Sequence, residues 1–276
     1  MFDTIVNYVF MFFFFSAVGW AVECTYRSLG EKRVINSGFN HGPICPIYGT
    51  GMLVLNVCLI PLSQPAEKRF WLVILLGMVL ADTVEYMTSF LMEKLFHARW
   101  WDYSNNFMNL HGRICLKHTI YWGVFSVIYV YVIAPLYDFI IGFIPQNVRA
   151  WAVLVILIIF SVDLFITVKA AINIQNLMTK LDKLKQSALA LPETIKGTAD
   201  MFNDWKSDAS AKYSELKKQF DRFTQGEHKE AYAKDTKRLL LMNSGLYKSV
   251  TKRMTELERI YEELKAKYKD DSYMGE

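Results

Sequence analysis

Charge is missing from three long stretches of this 276-residue sequence: Thr4–Val22, Ile44–Ala66 and Thr119–Tyr137 hold no Asp, Glu, Lys or Arg. Each reaches the roughly 20 residues that carry a helix across about 30 Å of hydrocarbon. Cysteine is scarce. Its four copies, Cys24, Cys45, Cys58 and Cys115, all fall in the apolar part of the chain and do not form the framework of a disulfide-stapled secreted domain. A Gly-x-x-x-x-Gly-Lys-Ser/Thr phosphate loop is lacking, so the sequence carries no ATPase of that type. The net charge of +4 is too small and too dispersed to indicate nucleic acid. Basic residues do not precede the first apolar run and no small-residue cleavage site follows it, so that run reads as a retained span rather than a signal peptide.

What is present divides the chain in two. Positions 1–170 hold 11 Lys+Arg and 10 Asp+Glu, whereas positions 171–276 hold 20 and 17. The fold expected is an all-α polytopic membrane protein: a transmembrane domain over 1–170 and a helical tail over 171–276. Five spans are predicted, at about 4–26, 44–63, 70–92, 114–136 and 149–170, with a four-span variant that omits the last. Of the basic residues in or beside short loops, Arg27, Lys32, Arg33, Lys94, Arg99, Arg113 and Lys117 fall on one side, against Lys68, Arg69 and Arg149 on the other. With the basic tail, this bias predicts an outside N-terminus and a cytoplasmic C-terminus.

Two segments match, His41-Gly42-Pro43-Ile44-Cys45 and, 70 positions on, His111-Gly112-Arg113-Ile114-Cys115. Each lies where a loop enters a helix. Eighteen positions before each histidine stands a glutamate, Glu23 or Glu93, and Tyr48-Gly49 and Trp122-Gly123 follow at displaced positions. Coincidence and duplication both remain open; duplication would make spans one–two and three–four parallel hairpins. The segment Gly42-Pro43-Ile44-Cys45-Pro46-Ile47-Tyr48-Gly49 reads first as a rigid helix entry.

Asp82 and Glu85 share a face of the third span beside Tyr86, with Glu93 two turns on. A lone carboxylate in lipid costs about 2.5–3.5 kcal/mol even on lenient scales. These groups are therefore expected to face the bundle, a wet cavity or a cation, with Arg27, Arg99 and Arg113 available as partners. Asp163 and His118 are weaker candidates, and Glu23 with Arg27 also fits a local salt bridge. The loop holding Arg99, Asp102, Tyr103, Asn109 and Arg113 is rich in directed polar groups and interfacial aromatics, suited to anchoring or to gripping a lipid phosphate. His41, Cys45, His111 and Cys115 form a chemically legal zinc set, although Cys at a helix start is more often a small hydrophobe. No cofactor is predicted.

Gly19-Trp20 with Glu23 and Arg27, Gly42-Pro43 with Cys45-Pro46-Ile47-Tyr48-Gly49, Glu85-Tyr86, Trp101-Asp102-Tyr103-Ser104 and Gly112-Arg113-Ile114-Cys115-Leu116 together resemble the CmpB-like family of type IV ABC-transporter membrane proteins. The resemblance covers about residues 5–165. It implies a bacterial multi-pass protein of the cell membrane with a transport role, served by a separate ATPase subunit.

In the tail, Leu177, Leu181, Leu184, Ala188 and Leu191 form one stripe, expected to end near Pro192. Tyr213, Leu216, Phe220 and Phe223 form a second, ending near Gly226; Val250, Met254, Leu257, Tyr261, Leu264 and Tyr268 form a heptad-like third. These helices would pack on each other, on a second copy, on another protein or on the membrane surface. Three functions compete: a transport component for a small solute or lipid, a membrane-embedded enzyme acting on a lipid-linked substrate, and a non-catalytic scaffold.

Overall fold

The computed structural model describes residues 1–32, 35–64, 66–97, 99–194, 199–224 and 244–270. Arg33, Gly226 and the side chains of Lys68, Leu191, Phe223, Tyr261, Leu264 and Tyr268 lie outside what it describes. Its elements are α1 (Phe2–Glu31), α2 (Pro46–Leu59, closed by a 3-10 turn, Ile60–Leu62), α3 (Ala66–Phe96), β1 (Asn109–Leu110), β2 (Ile114–Cys115), α4 (Leu116–Ile128), a π-helical turn (Tyr129–Ile133), α5 (Ala134–Gly142), α6 (Gln146–Thr194), α7 (Ala199–Thr224) and α8 (Ser244–Asp270). The expected all-α polytopic architecture is what the chain adopts. Among the described residues, four helices are long and apolar enough to cross a membrane: Phe2–Gly30, Arg69–Phe96, Leu116–Gly142 and Gln146–Leu189. The apolar helix Pro46–Leu62 is shorter.

The chain divides into two compact units, Met1–Leu95 with Arg99–Thr167, and Phe96–Ala98 with Val168–Glu276; α6 supplies residues to both. The first unit is inside out by the standards of a water-soluble protein. Trp151, Val155, Ile158, Ile159, Val162 and Phe165 of α6 are all exposed, as lipid contact requires. Its interior is aromatic: Phe15 packs on Tyr129 and Tyr137, joined by Met11, Met52, Leu55, Leu59 and Val73.

Small residues set the spacing of the helices. A Cβ on Gly49 would overlap Ser16 Oγ and the Phe12 carbonyl, so α2 can lie against α1 only with glycine there. A Cβ on Gly123 would meet Met78 and Ile74, which brings α4 against α3 in the same way. Further along, Pro135 has no N–H to continue the α-helical ladder. The chain widens just before it, with Ala134 N–H reaching the Tyr129 carbonyl. Tyr129, wholly buried, accepts from Asn56 Nδ2 at 3.3 Å.

The helix starts are offset from the helix ends beside them. Cys45 N donates to Ser16 O at 2.9 Å, so α2 begins alongside the middle of α1, which continues from there to Glu31. Thr119 donates to Asp82 at 2.6 Å, so α4 begins alongside the middle of α3, which continues from there to Phe96. At the rise of an α-helix, each overshoot is about 20 Å. The segments Ile35–Cys45 and Arg99–Cys115 must run back along these projecting ends.

In the second unit the stripes are buried as expected at Leu177, Leu181, Leu184 and Ala188, at Leu216, and at Val250, Met254 and Leu257. Asp182–Arg253 and Lys185–Glu256 pair α6 with α8, and Lys217–Glu258 pairs α7 with α8. Two details differ from expectation. Helix α6 continues past Pro192 to Thr194, and Ile260 is buried in α8 beside the expected stripe.

Gly51, unlike Gly49, has open space where a Cβ would go. Gly49→Ala should lower stability in detergent by about 1–3 kcal/mol through overpacking. Gly51→Ala should raise it by up to about 1 kcal/mol through helix propensity. Thermal unfolding of the two variants side by side checks the opposite signs.

Candidate functional site

Backbone that leaves helical form within a membrane has no water to bond, so its polar groups must find partners in the protein. The first returning segment finds them on α1 and α6. Trp20 Nε1 donates to Asn36 Oδ1 at 2.5 Å, Ile35 N to Ser28 Oγ at 2.9 Å, and Ser37 N to Cys24 Sγ at 3.0 Å. Asp163 then takes two consecutive backbone donors, His41 N at 3.2 Å and Gly42 N at 3.0 Å. His41 Nδ1 lies 2.7 Å from Thr167 Oγ1 and 3.6 Å from Asp163. Two charge-assisted bonds of this kind fix a loop firmly. The lone Asp163, ranked low from sequence, is the anchor of the whole segment. Its signal was present: one acid in an otherwise apolar run, which must have a partner.

The second returning segment is held by α3. Glu93 binds Arg99 Nε at 3.0 Å and Arg113 at 2.7 Å, and the Arg113 guanidinium lies over the Tyr86 and Phe90 rings. Tyr86 OH lies 3.1 Å from His111 Nδ1. Within the loop, Asp102 accepts from Ser104 N and Oγ, Asn109 accepts from Gly112 N, and Trp101 Nε1 donates to the Arg113 carbonyl. Strands β1 and β2 pair antiparallel, Leu110 opposite Ile114, and the turn between them places His111 at φ 54° and Gly112 at φ 69°. Gly112 is needed twice over. Its φ is left-handed, and a Cβ would meet Asp102 and Ser104. Asp102, Asn109, Gly112, Arg99 and Arg113 are therefore the frame of this loop.

Between the two segments lies a chain of part-buried polar contacts. Glu23 accepts from Tyr48 OH at 2.6 Å, and the Tyr48 ring sits 6.4 Å from that of Trp122. Trp122 Nε1 donates to Glu85 Oε2 at 3.0 Å, and Tyr103 OH to Glu85 Oε1 at 3.1 Å. Burial, and then the charge of Glu85, push the Tyr103 hydroxyl well above its usual pKa, so it stays a donor. The ring of Tyr103 lies 4.3 Å from that of His118, and His118 Nδ1 is 3.2 Å from Cys115 Sγ. Asp82 is bonded by Thr119. Arg27 lies one turn beyond Glu23 on α1.

Two expectations need correction. Arg99 and Arg113 do not neutralise Asp82 or Glu85; both turn to Glu93, two turns nearer the end of α3, where the returning loop passes. Glu85, only 6% exposed, is held by neutral donors with no ion-pair partner among the described residues. The four-residue zinc set does not assemble either. His41 is taken up on α6 and His111 on α3, and among the described residues no three His, Cys, Asp or Glu side chains gather as metal ligands.

The contacts also revise the internal repeat. Gly49 lies against Phe12 and Ser16, and Gly123 against Ile74 and Met78, each 62 positions on. The same shift takes Glu23 to Glu85, while 74 positions take Tyr48 to Trp122 and Gly49 to Gly123. In these contacts Glu85, not Glu93, takes the place in the second hairpin that Glu23 has in the first. The matching His-Gly-x-Ile-Cys motifs, 70 positions apart, sit one helical turn out of step with the helices that follow them.

Chemically, the arrangement places a carboxylate within the helical bundle, facing aromatic rings and neutral donors. Such a group can take up a proton or a cation without first breaking an ion pair.

Residues 10–168 match the family model described as "Putative ABC-transporter type IV". The match takes in more than half the chain, including both returning segments. No curated protein and no solved structure matches the chain.

Replacing Asp163 by Asn leaves one acceptor oxygen for two backbone donors. Asp163→Asn should cost about 1.5–3 kcal/mol, the scale of a hydrogen bond to a charged group. It should also expose residues 35–45 to added protease. Thermal unfolding and limited proteolysis in detergent read the two effects.

Proposed function

We propose a transport role for this chain, which belongs to the Putative ABC-transporter type IV family. In this reading it is the membrane-embedded component of a system handling a small solute or lipid. The ATPase would be a separate subunit, since the sequence holds no phosphate loop of its own. The observation that carries the proposal is Glu85, a buried carboxylate bonded only by Tyr103 and Trp122 among the described residues, at the meeting of two interrupted hairpins. Transporters place substrate or coupling-ion sites where helices start or stop inside the membrane. An exchangeable charge there has a use that a salt-bridged one lacks.

An enzymatic role has less support. The polar residues of the Arg99–Cys115 loop are bonded to one another and to α3, and Cys115, next to His118, is buried. A scaffold role would leave Glu85 without a purpose that offsets its desolvation.

Mass spectrometry of small molecules and lipids retained by the protein, extracted directly into nanodiscs, tests the role of Glu85. A compound enriched with the native chain should fall about ten-fold in Glu85→Gln, a loss of about 1.4 kcal/mol, with Glu85→Asp between the two. An unchanged set of retained compounds overturns the assignment.

The same proposal puts the protein in a bacterial cell membrane, N-terminus outside and tail in the cytoplasm. In intact cells, a membrane-impermeant maleimide should label Asp3→Cys and spare Ser207→Cys until the cells are opened. Labelling in the reverse order would invert the topology.

A further inference from the structure

The returning loop of the second hairpin ends in an apolar tip that no described residue of the first returning segment matches. Phe107, Met108 and Leu110 are 77%, 66% and 51% exposed, whereas Ile35, Ser37, Asn40 and His41 of the first segment are buried. The tip is held rigidly. Asn109, between these residues, donates to the carbonyls of Ser104 and Asn106 at 3.0 Å and accepts from Gly112 N. Met108 itself has φ 48°, a left-handed conformation that an unbranched apolar residue rarely adopts. Such a conformation persists only where the surroundings impose it.

The depth of this tip follows from its neighbours. Leu110 adjoins His111, which lies on Tyr86, and Arg113 covers the Tyr86 and Phe90 rings. From Arg69, where the α3 span begins, to Tyr86 is about 25 Å along the helix. That is close to the thickness of the hydrocarbon layer, about 30 Å. The tip therefore lies level with the zone where α3 passes from acyl chains to headgroups, not beyond it in water. The two helices on either side of the loop in the chain, α3 and α4, each carry an exposed lysine near the loop's ends. Lys94 Nζ lies 6.0 Å from the Phe90 ring centroid and Lys117 Nζ 5.8 Å from that of Tyr121. Each thus keeps company with an aromatic ring while its ammonium can reach outward.

We propose that Phe107, Met108 and Leu110 form a prong that rests in the headgroup–acyl boundary of the membrane leaflet at this end of α3. Lys94 and Lys117 face the phosphates of anionic lipids beside it. Three exposed apolar side chains on a fixed backbone, with cations on the adjoining helices, are the chemistry of interfacial lipid binding. An aqueous protein partner would need the same side chains to stand clear of the bilayer. The prong would fix the loop that carries Tyr103, and so one of the two donors to Glu85, to the state of the surrounding lipid.

The test uses the full chain in nanodiscs of phosphatidylcholine and phosphatidylglycerol in equal parts. In a Cys24→Ser, Cys58→Ser background, Met108→Cys carries an environment-sensitive nitrobenzoxadiazole label, and Ser207→Cys carries the same label as the comparison. The label at 108 should emit to the blue of the label at 207. A doxyl group high on the acyl chain should quench it about three-fold more than one near the chain end, as a shallow position requires. Lys94→Gln with Lys117→Gln should abolish any difference between these discs and discs of phosphatidylcholine alone. Emission at 108 equal to that at 207, quenched by iodide and not by doxyl lipid, would place the tip in water or against a protein partner and overturn the proposal. Native retention of the Glu85-dependent compound in either outcome keeps this result separate from the transport assignment.

Discussion

Irregular backbone inside a membrane has no water to satisfy it, and that constraint organises the first unit. Helices α1 and α3 project about 20 Å beyond the points where α2 and α4 begin beside them. The chain between must return along them, and wherever it passes through hydrocarbon each unpaired N–H or C=O costs several kcal/mol. Ser28, Cys24 and Asp163 meet this demand for one segment, and Asp102, Asn109 and Trp101 for the other. Without these partners the starts of α2 and α4 would have no fixed depth, and the polar contacts between them would not form.

The two hairpins solve the same problem with different residues. Both place a glycine of the second helix on an i, i+4 pair of the first, and both bond a glutamate to an aromatic donor one residue before that glycine. The closely matching His-Gly-x-Ile-Cys motifs serve different ends. His41 and Gly42 hang from Asp163, while His111 and Gly112 form a tight turn against α3. The two hairpins share these contacts although their loop motifs are out of step by a turn. Tyr48 and Trp122 bring the two hairpins together, and Trp122 bonds Glu85 there.

The second unit obeys the rules of water-soluble helices. Its stripes of Leu, Met and Val are buried among three helices, with Asp182–Arg253 and Lys185–Glu256 closing the edges. Exposed ion pairs of this kind add at most about 1 kcal/mol each, so the apolar stripes provide most of the stability. What set the two units apart in the sequence was the distribution of charge alone.

Five spans were expected, and four described helices are long and apolar enough to cross a membrane. The all-α polytopic architecture was legible from the sequence, as were the buried stripe residues Leu177, Leu181, Leu184, Val250, Met254 and Leu257, because hydrocarbon thickness and helical periodicity act on local runs of residues. So were Asp82 and Glu85 as residues too polar for their surroundings. Their partners were not. The sequence offered Arg27, Arg99 and Arg113 to Asp82 and Glu85 as the nearest opposite charges, but the returning loops carried Arg99 and Arg113 to Glu93 and left Glu85 to Tyr103 and Trp122. Nor could spacing show that Asp163 holds His41 and Gly42 from the far end of the apolar domain. A local pattern shows that a polar group inside a membrane must be satisfied. Which group satisfies it depends on where the chain turns back, and only the packed helices decide that.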